Sequence, residues 1–318
     1  MKEVHIAFVT DENYIQHTGV AMASVIQNHD HGRGRLVFHI IGRPSVIQAC
    51  EPPYATICVS ESLVFHPIDS IDDYKSLPLG MHYRSENYFR FELPRLLKGV
   101  DRCIYLDGDL VVVGDVQDLF DSDLGGLPIG AIEEPYGYLN NCERLGIPPE
   151  NSYFNSGVLV LDLDEWRHAD ISKALLAWAN EHVDLIKYVD QDVFNGLLNG
   201  NWKPLDLKWN VTYLLKDSAE PRFKFYDKVA IDNAREKPAL VHFAGYKTKP
   251  WNYMDINSLG KLYWSYLELT PWKGYVPSDK TIANVVKKRL DPLISIVKGS
   301  FRKVLKAVKR AVAGNLWG

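Results

Sequence analysis

The chain has 318 residues, 46% hydrophobic and 24% charged, which is ample for a sizeable core and ordinary for a globular protein. No run approaches 18 uninterrupted apolar residues and the amino-terminal MKEVHIAFVTDENY lacks a signal-peptide pattern, so neither a spanning helix nor a leader is expected. The net charge of −4 is unevenly spread: residues 279–318 hold ten Lys/Arg and two Asp, which is +8 and leaves −12 for residues 1–278. The chain therefore divides into an acidic body, 1–278, and a basic tail, 279–318. Cys50, Cys58, Cys103 and Cys142 form no CxxC pair and no zinc spacing. They read as buried free thiols, which points to a reducing compartment.

Residues 4–10, VHIAFVT, read as a first strand ending on Asp11-Glu12-Asn13-Tyr14, and residues 18–28 as a helix. Strands over 36–41 and 55–59 follow, and this order opens an α/β sheet. Ligands of such sheets bind beyond the carboxyl ends of the strands, where Asp11 and Asn13 lie. Both read either as partners of a base or ribose or as a turn or helix cap. Residues 85–97 read as a helix carrying Arg90, a phosphate ligand or a plain ion-pair partner.

Residues 104–106 form an apolar strand that ends on Asp107-Gly108-Asp109 and resumes as Leu110–Val113. Asp is depleted in buried strands, so two carboxylates between apolar runs need a compensating partner. A divalent cation is the simplest one, because hard cations take carboxylate oxygens. Gly108 is read as keeping the space between the acids open. The expectation is a metal on Asp107 and Asp109 whose other ligands are phosphates.

Further on, residues 116–123 read as a short helix or turn, 127–132 as a strand ending on Glu133-Glu134, and 137–150 as a loop. Phe154-Asn155-Ser156-Gly157 leads into a strand over 158–161, either offering donors to a ligand or forming a bulge. Asp170 is expected to cap a helix that carries Ile171, Ala174, Leu175 and Trp178 on one face. Asp190-Gln191-Asp192 opens another helix, stopped at Gly200, and acids at such a position commonly serve the helix dipole. Residues 238–243 form the last core strand, which delivers His242. One His with two Asp suits a borderline cation such as manganese, and Lys247 and Lys249 beyond it are placed to neutralise a diphosphate.

These separated motifs resemble the family 8 glycosyltransferases, retaining enzymes that use nucleotide sugars, and in particular the bacterial lipopolysaccharide galactosyl- and glucosyltransferases. The resemblance spans roughly residues 4 to 252, with the motifs in the family's order. Thr10-Asp11-Glu12-Asn13-Tyr14 is similar to the uridine-binding opening. Arg90 is similar to an arginine before the metal motif, and Tyr105-Leu106-Asp107-Gly108-Asp109 to that motif itself. Phe154-Asn155-Ser156-Gly157-Val158 and Asp190-Gln191-Asp192 are similar to the sugar-binding and catalytic segments. His242-Phe243-Ala244-Gly245 with Lys249-Pro250-Trp251 is similar to the third metal ligand and the diphosphate lysine.

The resemblance implies a GT-A type catalytic domain over residues 1–278, a mixed sheet flanked by helices. It implies a UDP-sugar donor and Mn²⁺ or Mg²⁺ held by Asp107, Asp109 and His242. Around the donor it sets Thr10, Asp11, Asn13, Arg90, Asp107, Gly108, Glu134, Asn155, Ser156, Gly245 and Lys249. Gln191 falls beneath the anomeric carbon, Asp190 beside a donor hydroxyl, and Asp192 is a transient nucleophile or a structural acid. Glu134 stands where the family often has Asp. Six residues instead of five separate His242 from Lys249, so Lys247 is an alternative for the diphosphate. The implied reaction is retaining transfer of galactose or glucose to a glycan or glycolipid acceptor such as a lipopolysaccharide or lipooligosaccharide core. Same-face attack by the acceptor hydroxyl is expected, because an amide at position 191 is a poor nucleophile.

The rival readings are a nucleotide-sugar hydrolase, a phosphoryl-transfer enzyme using the same acids, and a non-catalytic glycan-binding module. A P-loop signature is absent, and a binding module has no need of all three metal residues. No nucleic-acid partner is expected. In the tail, Phe301, Val304, Leu305, Val308 and Val312 fall on one face of a helix, with Trp317 near the end. Arg302, Lys303, Lys306, Lys309 and Arg310 occupy most of the remaining wheel. This pattern predicts a helix lying on an anionic membrane surface, and a cytoplasmic protein peripheral to the inner face of the membrane.

Overall fold

The computed structural model describes residues 2–79, 84–245 and 248–290. Its amino-terminal half alternates strand and helix: β1 (Glu3–Val9), α1 (Ile15–Asn28), β2 (Arg35–Gly42), α2 (Pro44–Ile57) and β3 (Ser62–Pro67). There follow β4 (Arg102–Leu106), β5 (Leu110–Val112), β6 (Ile129–Glu133) and β7 (Phe154–Asp162). Then come α3 (Ile171–Glu181), α4 (Val189–Leu198), β8 (Lys203–Pro204), β9 (Val211–Thr212), α5 (Lys228–Glu236), β10 (Leu240–His242) and α6 (Gly260–Leu267). The main sheet has the order β3-β2-β1-β4-β7-β6-β8, and β5, β10 and β9 form a second, three-stranded sheet. This is the mixed sheet flanked by helices that the sequence predicts.

The first four strands run parallel, and alternate residues serve two cores. Val4, Ile6 and Phe8 join Phe38 and Ile40 on one face, whereas Ala7 and Ile41 join Tyr105, Leu159 and Phe194 on the other. Burial on both faces is why these strands carry near-continuous apolar sequence. β7 is the exception in direction: it lies antiparallel between β4 and β6. Its entrance therefore meets the exit of β4.

Four expectations are corrected. Residues 55–57 end α2, and the strand is Ser62–Pro67. Val46, Ile47, Cys50 and Tyr54 bury one helical face, and that packing overrides Pro52 and Pro53 inside the helix. Residues 85–97 divide into a 3₁₀ turn, Ser85–Glu92, and one α-turn, Leu93–Leu96, which starts where Pro94 is tolerated. The stretch 137–150 holds two short helices, Gly137–Asn140 and Cys142–Leu145. Asp170 has φ 51° and makes no capping bond to α3. All four cysteines are free and buried, as expected.

Residues 282–290 of the tail are helical, and the segment before them packs on the body. The Asp279 carboxylate accepts from the amides of Tyr253 and Met254 at 2.7 and 3.2 Å. The stripe from Phe301 to Val312, Trp317 and Lys247 lie outside the described residues. No helix among the described residues is long and apolar enough to cross a membrane.

Three histidines bridge neighbouring strands of the sheet. His5 Nδ1 lies 3.0 Å from His39 Nε2, and His39 Nδ1 lies 2.9 Å from His66 Nε2. Burial, with the two adjacent rings, pushes His39 down to about 3. The folded protein therefore holds His39 neutral while the unfolded chain takes up a proton below its ordinary value of 6.5. The sign follows: the unfolded state binds more protons in that window, so stability falls as pH drops below about 6.5. Between pH 7 and pH 5 the loss is about 2 kcal/mol. Urea unfolding at both pH values should display this acid loss, and His39→Gln, which keeps a polar bridge, should reduce it. An unchanged acid dependence in the variant would rule out His39 as its source.

Candidate active site

The turn in strand direction builds the site. Because β7 is antiparallel, Leu106 pairs with Val158, and the Asp107 amide donates to the Gly157 carbonyl at 2.9 Å. Asp107-Gly108-Asp109 thus faces Asn155-Ser156-Gly157. In the second sheet His242 pairs with Leu110, and the Phe243 amide donates to the Asp109 carbonyl at 2.8 Å. Ligand atoms of Asp107, Asp109 and His242 come within 4.8 Å of one another, and no other such group of three occurs among the described residues.

Two glycines make this approach possible, in different ways. A Cβ on Gly157 would meet His242 Cε1 at 2.4 Å and Asp107 Oδ2 at 2.6 Å. A Cβ on Gly108 would meet Thr18 Oγ1 at 2.5 Å. Gly108 therefore admits helix α1; the residue that leaves room between the ligand side chains is Gly157.

A chain of amides orients the histidine. His242 Nδ1 pairs with Asn210 Oδ1 at 3.0 Å, Asn210 Nδ2 donates to Asn155 Oδ1 at 2.9 Å, and Asn155 Nδ2 donates to Glu134 Oε2 at 2.7 Å. With Nδ1 so engaged, Nε2 faces the acids, 3.2 Å from Asp109 Oδ1 and 3.8 Å from Asp107 Oδ2. Two carboxylates and an imidazole with its second nitrogen fixed form a donor set that fits Mn²⁺ or Mg²⁺. Burial alone would depress His242, but Asp109 and Asp107 outweigh it and raise it. Asp109 is 8% exposed; burial opposes its charge, yet Lys249 and His242 hold its carboxyl well below the usual range. Lys249 Nζ donates to Asp109 Oδ2.

Arg90, 3% exposed, ties the cluster to α4. Its guanidinium contacts Asp107 Oδ1 at 3.1 Å, Asp190 Oδ2 at 2.9 Å and the Ser156 carbonyl at 3.0 Å, and lies 4.2 Å from the Tyr105 ring centre. Ser156 Oγ also donates to Asp190 Oδ2 at 2.9 Å. Burial raises Asp190 to about 6 against the pull of Arg90. Asp190 is thus a buried ion-pair acid, beyond the plain helix cap that its position suggests. Val189 before it has φ 39°, a strained geometry for a β-branched residue, and is held there at 1% exposure in the apolar core.

Gln191 Oε1 accepts from the Ser156 amide at 3.1 Å and Asn155 Nδ2 at 3.2 Å, while its Nε2 donates to Tyr153 Oη at 3.0 Å. Asp192 is fully buried. Both its oxygens are taken by Arg144 at 2.9 Å, and the Tyr153 hydroxyl and the amides of Lys187 and Tyr188 add further bonds.

These groups surround a cavity of about 510 Å³. Its lining includes Thr10, Asp11, Asn13, Arg90, Asp107, Gly108, Asp109, Asn155, Ser156, Asp190, Gln191, His242, Gly245 and Lys249. One Asp11 oxygen accepts from the Asn13 and Tyr14 amides at 2.7 and 3.1 Å, so Asp11 forms the expected turn and also borders the cavity. Gly245, at φ 96°, lines the cavity, as do Lys249 and Trp251, and Trp251 stacks on His17 at 3.6 Å. Glu134 and Asp192 stand behind the lining. Asn210 and Arg144 complete the arrangement without a sequence signal for a site, whereas Tyr105 belongs to the expected metal motif and sets its ring under Arg90. Asn210 precedes a two-residue strand, and Arg144 lies in a stretch without a clear period.

This mixed α/β sheet is the fold of a solved glycosyltransferase. The chain belongs to glycosyl transferase family 8, whose model matches residues 5–255. It is 29% identical to General stress protein A of Bacillus subtilis, over 85% of this chain and 94% of the relative. It is 29% identical to a lipopolysaccharide 1,2-glucosyltransferase of Escherichia coli, over 92% of this chain and 85% of that protein. Among solved structures, the galactosyltransferase LgtC in complex with donor and acceptor sugar analogues superposes with a TM-score of 0.75 at 25% identity. That match covers 87% of this chain and 98% of LgtC.

Gly157→Ala tests the cradle. It should weaken Mn²⁺ binding by about tenfold or more, since the ligands must shift by more than ordinary packing allows. Isothermal titration with Mn²⁺, alongside an unchanged circular dichroism spectrum, measures this. Wild-type Mn²⁺ affinity in the variant would exclude a metal at this position.

Proposed function

We propose that the protein transfers a hexose, galactose or glucose, from a UDP-hexose to a glycan acceptor of the lipopolysaccharide core type, with retention of anomeric configuration. The observation that carries this reading is the Asp107–Asp109–His242 cluster on the same cavity as the Arg90–Asp190 pair and Gln191. The similarity to lipopolysaccharide glucosyl- and galactosyltransferases supports the choice of donor and acceptor.

In this reading Thr10, Asp11 and Asn13, at the end of β1, take the uridine, and Asp107, Asp109 and His242 hold the cation. The bound cation would supply positive charge against the charge that develops on the departing diphosphate. Lys249 adds a preorganised ammonium on the same side, with its charge kept by Asp109. Asp190, fixed by Arg90 and Ser156, accepts from a donor-sugar hydroxyl. Gln191 presents an amide beneath the anomeric carbon; it is held by Ser156 and Tyr153 and is no nucleophile. Asp192 acts as a structural acid, since Arg144 occupies both its oxygens. Same-face attack by the acceptor hydroxyl then accounts for retention, with the leaving diphosphate needing no separate acid.

The test is incubation with UDP-galactose or UDP-glucose, Mn²⁺ and a core oligosaccharide, followed by proton NMR of the product anomer. Transfer with the donor's α configuration is expected. Changing both Asp107 and Asp109 to Asn should reduce turnover by about a thousandfold, as the loss of several kcal/mol of charge stabilisation implies. A β product, or release of free sugar with no transfer, would overturn the reading; the second result is what a nucleotide-sugar hydrolase would give.

We further infer a peripheral site of action on the anionic inner face of a membrane, held by the tail. Ile282, Val286 and Leu290 are exposed on one side of the helix 282–290, flanked by Lys287 and Arg289, in keeping with the stripe from Phe301 to Val312. Each basic residue near an anionic surface contributes about 1 kcal/mol. Because Asp279 is bonded to the body, a truncation that spares the body removes 291–318 only. That variant should co-sediment poorly with anionic vesicles at low salt, and salt should also release the full chain. Equal co-sedimentation of the two proteins contradicts the anchor.

A further inference from the structure

A second cavity, of about 450 Å³, opens beside the segment Lys249–Asn252. This segment is a four-residue turn, closed by the Asn252 amide donating to the Lys249 carbonyl at 3.0 Å. Lys249 and Trp251 line the donor cavity, Pro250 lines the second, and Asn252 lines both. The two cavities are neighbours that share a wall. The volume of the second is within the range of small-ligand sites.

Its chemistry differs from that of the first. Tyr253, Trp264 and Tyr275 give it aromatic surface, the last two stacked at 6.2 Å and 24°. Lys261, Lys280 and Lys288 border it against a single carboxylate, Asp255, which is a surplus of two positive charges. Lys288 Nζ donates to the Tyr253 carbonyl and lies 4.8 Å from that ring's centre, with Lys280 Nζ at 6.0 Å. The Asp255 carboxylate is turned to its own loop, where it accepts from the Asn257 amide at 2.9 Å.

Asn257, 9% exposed, lines the cavity, with its Oδ1 held by the Leu259 amide at 2.9 Å; its Nδ2 is enclosed in the wall and offers the cavity no donor. A sugar meets the aromatic and the cationic features of the lining at once: its ring face covers an aromatic side chain, and an anionic substituent meets the lysines.

Resting on the reading of the protein as a glycan-modifying transferase, we propose that this cavity binds an acidic sugar of the acceptor, one carrying phosphate or carboxylate. A neighbouring sugar of the same acceptor then reaches the donor cavity past Asn252. Acceptor choice is set here by charge, outside the donor site.

The experiment uses the full chain saturated with UDP and Mn²⁺, so that the donor cavity is filled. Isothermal titration compares a deacylated lipopolysaccharide core oligosaccharide in three forms: intact, dephosphorylated with hydrofluoric acid, and carboxyl-reduced. One of the two treatments should weaken binding by about tenfold for each charge-assisted hydrogen bond it removes, and which one does so identifies the anion. The double variant Lys261→Gln, Lys280→Gln should bind the intact form as weakly as wild type binds the treated one, and Lys261→Arg, Lys280→Arg should restore the difference. Equal affinity for all three forms, or a Gln variant that still discriminates, overturns the proposal. So does a Gln variant whose only defect is binding to phosphatidylglycerol vesicles, because the lysines would then serve a lipid headgroup. Charge-dependent binding by a protein that transfers no sugar counts against the transferase reading and leaves this one standing.

Discussion

The structure depends on balancing carboxylates at the exit of β4. Asp107, Asp109 and Asp190 bring three negative charges into one cavity, and two of them are almost fully buried. A buried charge is tolerated only when it is paired and hydrogen-bonded. Arg90 lies between Asp107 and Asp190, while Lys249 and a raised His242 hold Asp109. The charged groups come from separate stretches of chain, so the charge requirement itself draws α4, β10 and the 249–251 turn onto the end of the sheet. A divalent ion bound by the two acids and the histidine satisfies the same requirement, and it would leave the Lys249 ammonium available to a phosphate.

Strand direction does the remaining positioning. Had β7 run parallel to β4, its entrance would lie at the opposite edge of the sheet, and Asn155, Ser156 and Gly157 would be a strand's length from the acids. The antiparallel placement also brings α4 across this edge, where Ser156 meets Asp190 and Gln191. Strain at Val189 belongs to the same design: an unfavourable backbone geometry is fixed by apolar burial so that two polar side chains point inward.

Much of this was legible in the chain. The apolar strands with polar residues at their ends placed β1, β4, β7 and β10 and most of the cavity lining, because buried strands and the polar segments that bound them differ sharply in composition. Less legible was whatever depended on distant packing. The run at 55–59 has the makings of a strand, yet Tyr54 and Cys50 bury a helical face there. Gly108 and Gly157 look alike in sequence, and only the neighbours that an added Cβ would strike tell them apart. Asn210 leaves no periodic signal; its meaning lies in bridging His242 to Asn155. Arg144 and Asp192 likewise become a pair only when two elements far apart in the chain are folded together.

The turn Lys249–Asn252 has one consequence that reaches beyond either cavity. Four residues of backbone form a partition with a lysine and a tryptophan on one side and a proline on the other. A partition this thin cannot be displaced from one side alone, because its two faces are the same peptide groups. Any free energy with which a ligand on the far side steadies or shifts it is felt with equal size by a ligand on the near side. How strongly donor and acceptor reinforce or oppose each other's binding would then be a property of this short segment, written in how firmly Trp251 rests on His17.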